Sequence, residues 1–163
     1  LVARSVSVHG HGYLTLALKD VPGLRDFYSG FSFRTSQREG LLYHHTTQEG
    51  TCQVSLQRGQ LALNVMQTEV TTENAYADDR THYVAFYSDA RGVRLYVDDK
   101  LQDTAAGAGS GRRQQRQDRR PLFHLGGSPE PGALSNLTGC IGNVFVKRMS
   151  EPQMVVDLQQ NVE

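Results

Sequence analysis

The stretch Gln53-Val54-Ser55-Leu56-Gln57-Arg58-Gly59-Gln60-Leu61-Ala62-Leu63-Asn64-Val65 decides the fold class. Two short apolar-rich runs, Gln53-Val54-Ser55-Leu56 and Leu61-Ala62-Leu63-Asn64-Val65, flank Arg58-Gly59, where glycine supplies the positive φ that a tight hairpin needs. Working toward the N-terminus, Leu41 to His45 reads as a buried strand after Gln37-Arg38-Glu39-Gly40. Phe27, Phe31 and Phe33 fall on one face of a strand running through Gly30 to Arg34, and Tyr13 to Leu18 alternates with period two before Val21-Pro22-Gly23 turns the chain. Working toward the C-terminus, His82 to Tyr87 and Val93 to Val97 are joined by Asp89-Ala90-Arg91-Gly92, and Asp98-Asp99 turns into Lys100-Leu101-Gln102. Further strands are expected at Leu122 to Leu125, Cys140 to Val146 and Met154 to Leu158. No stretch of 11 or more residues places apolar side chains at helical spacing, so nothing supplies the crossover helices of a parallel sheet. The expectation is a single all-β domain over residues 1–163, an antiparallel sandwich of at least nine short strands, with residues 1–11 as a tail.

Composition narrows the function. At 163 residues the chain buries roughly 68–70% of its unfolded surface, enough for a core without staples. Lys+Arg and Asp+Glu are equal at 17 each, so the formal net charge is zero, and neither a basic nucleic-acid binder nor an acidic solvating chain fits the whole. The apolar runs are too short to span a membrane. Leu1 to Gly12 holds no apolar run of signal-peptide length, as expected of a mature fragment. Two cysteines in the chain exclude both a disulfide scaffold and a paired CxxC zinc site.

The sharpest local feature is Gly111-Arg112-Arg113-Gln114-Gln115-Arg116-Gln117-Asp118-Arg119-Arg120, preceded by the small residues Ala105 to Ser110. Five arginines against one aspartate leave +4 over nine residues of an otherwise neutral protein. Guanidinium forks match sulfate and carboxylate geometry, so Arg112, Arg113, Arg116, Arg119 and Arg120 form a candidate site for a sulfated glycan or sulfated lipid, the plain alternative being a solvated loop. Asn136-Leu137-Thr138 is an N-glycosylation sequon, or else an ordinary turn. Cys52 and Cys140 can pair across a long loop, worth about 4–5 kcal/mol in chain entropy, or stay apart with Cys52 a small buried hydrophobe. His44 and His45 are adjacent on a strand, point to opposite faces and cannot share one ion. Asp78-Asp79 and Asp98-Asp99 fall at turns, where aspartate is structurally expected, and no G-x-S-x-G, HExxH or P-loop motif occurs. No catalytic or metal-binding residues are assigned.

Several strings in order give the chain a family likeness. They are Phe31-Ser32-Phe33-Arg34-Thr35 with Gly40-Leu41-Leu42-Tyr43, then Leu56-Gln57-Arg58-Gly59, then Leu95-Tyr96-Val97-Asp98. The most specific is Leu125-Gly126-Gly127-Ser128-Pro129 followed by Thr138-Gly139-Cys140-Ile141-Gly142-Asn143-Val144. From about Gly12 onward the chain resembles the laminin G-like module. Its tail through Gln160 is most similar to laminin α chains, in particular the third module of their C-terminal tandem.

The resemblance implies a jelly-roll-like, concanavalin-like β-sandwich in a secreted basement-membrane protein. It also implies adhesive work without catalysis. The partners it implies are integrin, through a unit of several modules and a neighbouring chain, together with dystroglycan and heparan sulfate; sulfatide is a candidate only through the arginine run. It implies that Cys140 pairs with a cysteine beyond Glu163, leaving the fragment clipped at its C-terminal edge. Two departures stand out. Thr81-His82 occupies the place of the family's usual Trp-His pair. The family's calcium position falls near Gly50-Thr51 with only Glu49 close by, so the oxygen ligands that calcium needs are unmatched and no cofactor is expected. The alternatives are a module of agrin, perlecan or neurexin type, a carrier of small apolar ligands like the sex-hormone-binding globulin, or a jelly-roll glycan-binding protein or enzyme with paired carboxylates in a groove.

Overall fold

The computed structural model describes residues 5–10, 12–17, 23–24, 26–47, 49–106, 122–129, 135–148 and 154–158. Twelve strands and no helix occur among them. In chain order they are β1 (Ser5–His9), β2 (Leu14–Ala17), β3 (Phe27–Arg34), β4 (Gly40–Thr47), β5 (Gly50–Gln57) and β6 (Gln60–Val65). They continue as β7 (Thr68–Ala75), β8 (His82–Asp89), β9 (Gly92–Val97), β10 (Lys100–Ala105), β11 (Leu122–Leu125) and β12 (Thr138–Lys147). Among the described residues they form two six-stranded sheets, β1-β12-β3-β8-β9-β10 and β2-β11-β4-β5-β6-β7, with antiparallel neighbours throughout.

Turn chemistry explains much of this connectivity. Three hairpins close through two residues that both have positive φ, the geometry whose twist matches that of the flanking strands. They are Arg58-Gly59 between β5 and β6, Met66-Gln67 between β6 and β7, and Asp98-Asp99 between β9 and β10. The first and third were legible as turns. Met66-Gln67 carries none of the usual turn residues, so β7 went unread in the sequence.

The inner faces of the sheets meet over one core. Phe27, Phe31, Phe33 and Phe86 of the first sheet pack against Leu16, Tyr43, Val54, Leu63 and Phe123 of the second, all essentially buried. Each large side chain contributes roughly 1.5–3 kcal/mol by leaving water. One polar cluster enters this core beneath β3 and β4. The Ser29 hydroxyl donates to the Phe145 carbonyl at 2.7 Å and lies 3.1 Å from the Tyr43 hydroxyl. That hydroxyl is 3.4 Å from His45 Nδ1. Burial, aided by neighbouring His44, pushes the His45 pKa down to about 3, so the ring is neutral and stacks on Phe123 at 4.1 Å.

Two expectations need correction. The tail expected over residues 1–11 is corrected where the structure describes it: Ser5–His9 is β1 and pairs with β12, placing Val8 in the core. Its polar-apolar alternation is that of an edge strand with one buried side. Met154 to Leu158 is not a strand; Val156 donates one backbone hydrogen bond to the Val144 carbonyl at 2.6 Å while Leu158 plugs the core.

Candidate functional site

The outer face of the first sheet carries a ladder that only cross-strand register could assemble. Lys147 on β12 pairs with Tyr28 on β3, Tyr28 with Tyr87 on β8, and Tyr87 with Arg94 on β9. The two tyrosine rings stack at 4.1 Å, 6° from parallel. The Lys147 ammonium sits 5.1 Å from the Tyr28 ring centre and the Arg94 guanidinium 4.8 Å from that of Tyr87. Arg94 is also held by Asp89, 3.3 Å away. Phe145 meets the edge of Tyr28 at 4.9 Å and Tyr96 that of Tyr87 at 5.6 Å. Burial, then the hydrogen bond with Tyr87, pushes the Tyr28 phenol up to about 12. Each cation–ring contact on such a face is worth about 0.5–1 kcal/mol, so the ladder is a rigid platform more than a large source of stability. Tyr83 and Leu101 extend the face and remain 57% and 53% exposed.

A bulge makes this face possible. Between Gly142 and Phe145 the β12–β3 register shifts, with Asn143 at φ 51° and its amide donating to the Ser32 hydroxyl at 2.9 Å. The extra residue lets Ile141 and Val144 both enter the core and turns Phe145 and Lys147 outward. Gly30 opposite Phe145 has no room for a Cβ, which would strike the Val84 carbonyl and the Phe145 ring.

At the rim, His82 is clamped between two carboxylates. Its Nδ1 lies 2.7 Å from Asp98 Oδ2 and its Nε2 2.8 Å from Asp78 Oδ1. Ionised carboxylates only accept, so the ring donates from both nitrogens as imidazolium. Burial works against that charge, but the hydrogen bonds to Asp98 and Asp78 outweigh it and raise the His82 pKa. Asp98 also takes the Tyr83 amide at 2.9 Å, and Arg34 grips Asp79 at 3.2 Å. With both nitrogens engaged, His82 is a pin between two turns and is not placed to act as a base or a metal ligand.

Comparison with known proteins gives the family. The Laminin G domain profile matches residues 33–149. The chain belongs to the laminin G domain family. It is 32% identical to human laminin subunit alpha-3 over 163 residues, covering 98% of this chain and 4% of that subunit. It is 29% identical to mouse laminin subunit alpha-4 over 164 residues, covering all of this chain and 9% of the subunit. The module therefore spans less than a tenth of the curated relatives it matches. Among solved structures it resembles mouse laminin alpha1 domains LG4-5, at TM-score 0.74 and 21% identity, over 96% of this chain and 48% of that one. The laminin alpha2 LG1-3 region aligns at TM-score 0.70 and 15% identity, over 95% and 35%. A heptameric pentraxin from Limulus polyphemus aligns at TM-score 0.69 and 10% identity, over 99% and 92%, so the sandwich is shared beyond laminins.

Within the laminin G module, the residues singled out in the sequence fall as follows. Arg112, Arg113, Arg116, Arg119 and Arg120 lie outside the described residues. Asn136 is half-buried, its amide oxygen against Gly127, where a Cβ would collide with it, and its backbone carbonyl accepts from Gln37 Nε2 at 2.8 Å. Cys52 and Cys140 are not bridged, which corrects that alternative. Cys52 faces the core from the second sheet with its thiol pKa raised by burial. Cys140 is exposed on the first sheet, 3.6 Å from the Ser7 hydroxyl. His44 and His45 do point to opposite sides, His45 into the core and His44 toward His124 on the outer face. Glu49 is exposed, its carboxylate over Gly23. Among the described residues no three His, Cys, Asp or Glu side chains are grouped to hold a metal ion. The tyrosine ladder was missed in the sequence because its members are scattered from position 28 to 147 and only their strands were readable.

Proposed function

We propose that this laminin G module is a non-catalytic adhesive unit of a secreted, basement-membrane laminin α-type chain. The observation that carries the reading is a laminin-α-like sequence folded as a rigid sandwich whose outer face presents tyrosine and arginine, the residues that dominate protein contact energetics. Two partner classes follow. Arg112, Arg113, Arg116, Arg119 and Arg120 bind heparan sulfate or sulfatide through multiple guanidinium–sulfate contacts. Integrin engages the module only as part of a larger unit that includes neighbouring laminin modules and another chain. Asn136 carries an N-glycan, and Cys140 pairs with a cysteine outside this chain.

Heparin chromatography tests the sulfated-glycan arm. The 163-residue chain should elute above physiological salt, and Arg→Ala at the five positions should bring it into the flow-through. Elution below physiological salt, or no change in the variant, would overturn it. For integrin, the isolated module should fail to bind where the multi-module assembly succeeds.

A further inference from the structure

The sequon Asn136-Leu137-Thr138 is fixed in place by its middle residue. Leu137 is fully buried, its amide donates to the Gly126 carbonyl at 2.8 Å, and its carbonyl accepts from the Gly10 amide at 3.0 Å. Asn136 is thereby held beside Gly127 and the start of β2. A Cβ on Gly127 would sit 3.0 Å from Asn136 Cγ and 3.2 Å from Tyr13 Cβ, so the two side chains flank this glycine. The oxygen of the Asn136 amide is the atom that packs on Gly127. Among the described residues nothing hydrogen-bonds its Nδ2, the atom that takes a glycan. Tyr13 is 40% exposed, its ring perpendicular to that of His124 at 5.5 Å.

Tyr13 also lines a groove of about 360 Å³, a volume at the lower end of small-ligand sites, together with Val6 and Val8 of β1 and with Gly12 and Leu14. The groove runs between β1 and β2, the edge strands of the two sheets on this flank. Neither strand contains Lys, Arg, Asp or Glu, and both pair with their neighbours without a register shift. The edges on the opposite flank differ. There β7 carries Glu69 and Glu73, β10 carries Lys100 and Asp103, and each pairs through a register shift. Charges and bulges keep an exposed edge from pairing with another chain, and β1 and β2 have neither.

We propose that the N-glycan on Asn136 folds back onto this flank, its first N-acetylglucosamine resting against the Tyr13 ring beside the β1–β2 groove. The inference rests on the reading that Asn136 is glycosylated, and adds where the sugar lies and what it does there. The electron-rich face of a tyrosine ring attracts the polarised C–H bonds on the apolar face of a sugar. Such a contact is too weak to hold a free sugar. Tethering at Asn136 raises the local sugar concentration to the millimolar range, so the contact is populated. The bulky, hydrophilic glycan then does for β1 and β2 what charge and bulges do for β7 and β10.

The test uses the 163-residue chain secreted by cells that make only high-mannose glycans, isotope-labelled and trimmed by endoglycosidase H to a single N-acetylglucosamine. Peptide mass mapping should show that sugar on Asn136. In NMR spectra of the folded chain, the ring protons and N-acetyl methyl of the sugar should lie upfield of their positions in the urea-unfolded chain, with NOEs to the Tyr13 ring. Tyr13→Ala, at a partly exposed position, should leave Asn136 occupied and the core-strand amide signals in place while the upfield shift is lost. Tyr13→Phe should retain the shift. An unoccupied Asn136 would overturn this proposal together with the glycosylation reading. An occupied Asn136 with unshifted sugar signals, a shift that survives Tyr13→Ala, or NOEs to Tyr83 or Leu101 in place of Tyr13 would overturn this proposal alone.

Discussion

The two outer faces of this sandwich obey one alternation rule and yet present opposite chemistries. On the first sheet, Lys147, Tyr28, Tyr87 and Arg94 satisfy one another, ring on ring and cation on ring, and leave Tyr83 and Leu101 projecting. On the second, Thr15, His124, His44, Gln53 and Asn64 form a polar line across the strands, with both histidines buried. A raised aromatic platform suits a protein partner, where burying rings and desolvating arginine gives affinity. A shared core thus does not dictate a shared function, because each strand exposes half of its residues free of packing constraints.

The largest expected effect removes the contrast altogether. Phe86→Ala empties the layer beneath both faces, where Phe86 meets Phe27 and Tyr43, and should cost about 3–5 kcal/mol in urea unfolding, blurring NMR signals from both faces together. If only first-sheet signals change, the faces have separable cores.

Next comes acidity, where two histidines give opposite slopes. His45 has a folded pKa near 3, below its unfolded value of about 6.5, so the unfolded chain binds more protons between them. Stability should therefore fall as pH drops through that window, by up to about 1.4 kcal/mol per unit, and His45→Phe should flatten the slope. His82, with its folded pKa raised by Asp98 and Asp78, contributes stability that is complete below its unfolded pKa and lost as pH rises through the folded one. His82→Gln should remove that alkaline-side loss. Urea titrations from pH 4 to 9 separate the two, and equal slopes in wild type and both variants would refute the assignments.

The smallest effect sharpens the comparison. Arg94→Ala should cost about 0.5–1 kcal/mol through the lost ring contact, and a double-mutant cycle with Tyr87→Leu should show coupling. Gln53→Ala on the other face should change stability by less than about 0.5 kcal/mol, since no core contact is lost.

How much of this was readable varies residue by residue. Arg58-Gly59 announced its hairpin through glycine, and Asp98-Asp99 through aspartate, so their strands were placed. Met66-Gln67 bends the same way without a local signal, because the pairing of β6 with β7 holds it there, and β7 was lost with it. His124 carried no motif and became part of a row only when β11 paired with both β2 and β4. The family strings were legible because turn glycines and core residues recur at fixed local offsets.

By itself, then, the sequence determined the all-β class, most strands, the single core and the laminin G kinship, since these rest on period-two alternation and turn chemistry within a few residues. Only the tertiary structure decided which side Phe145 and Lys147 face, because the bulge at Gly142–Phe145 breaks the alternation. It alone brought Lys147 onto Tyr28 and His124 beside His44. Register between strands far apart in the chain is set by the whole core closing at once, and no local run of residues encodes it.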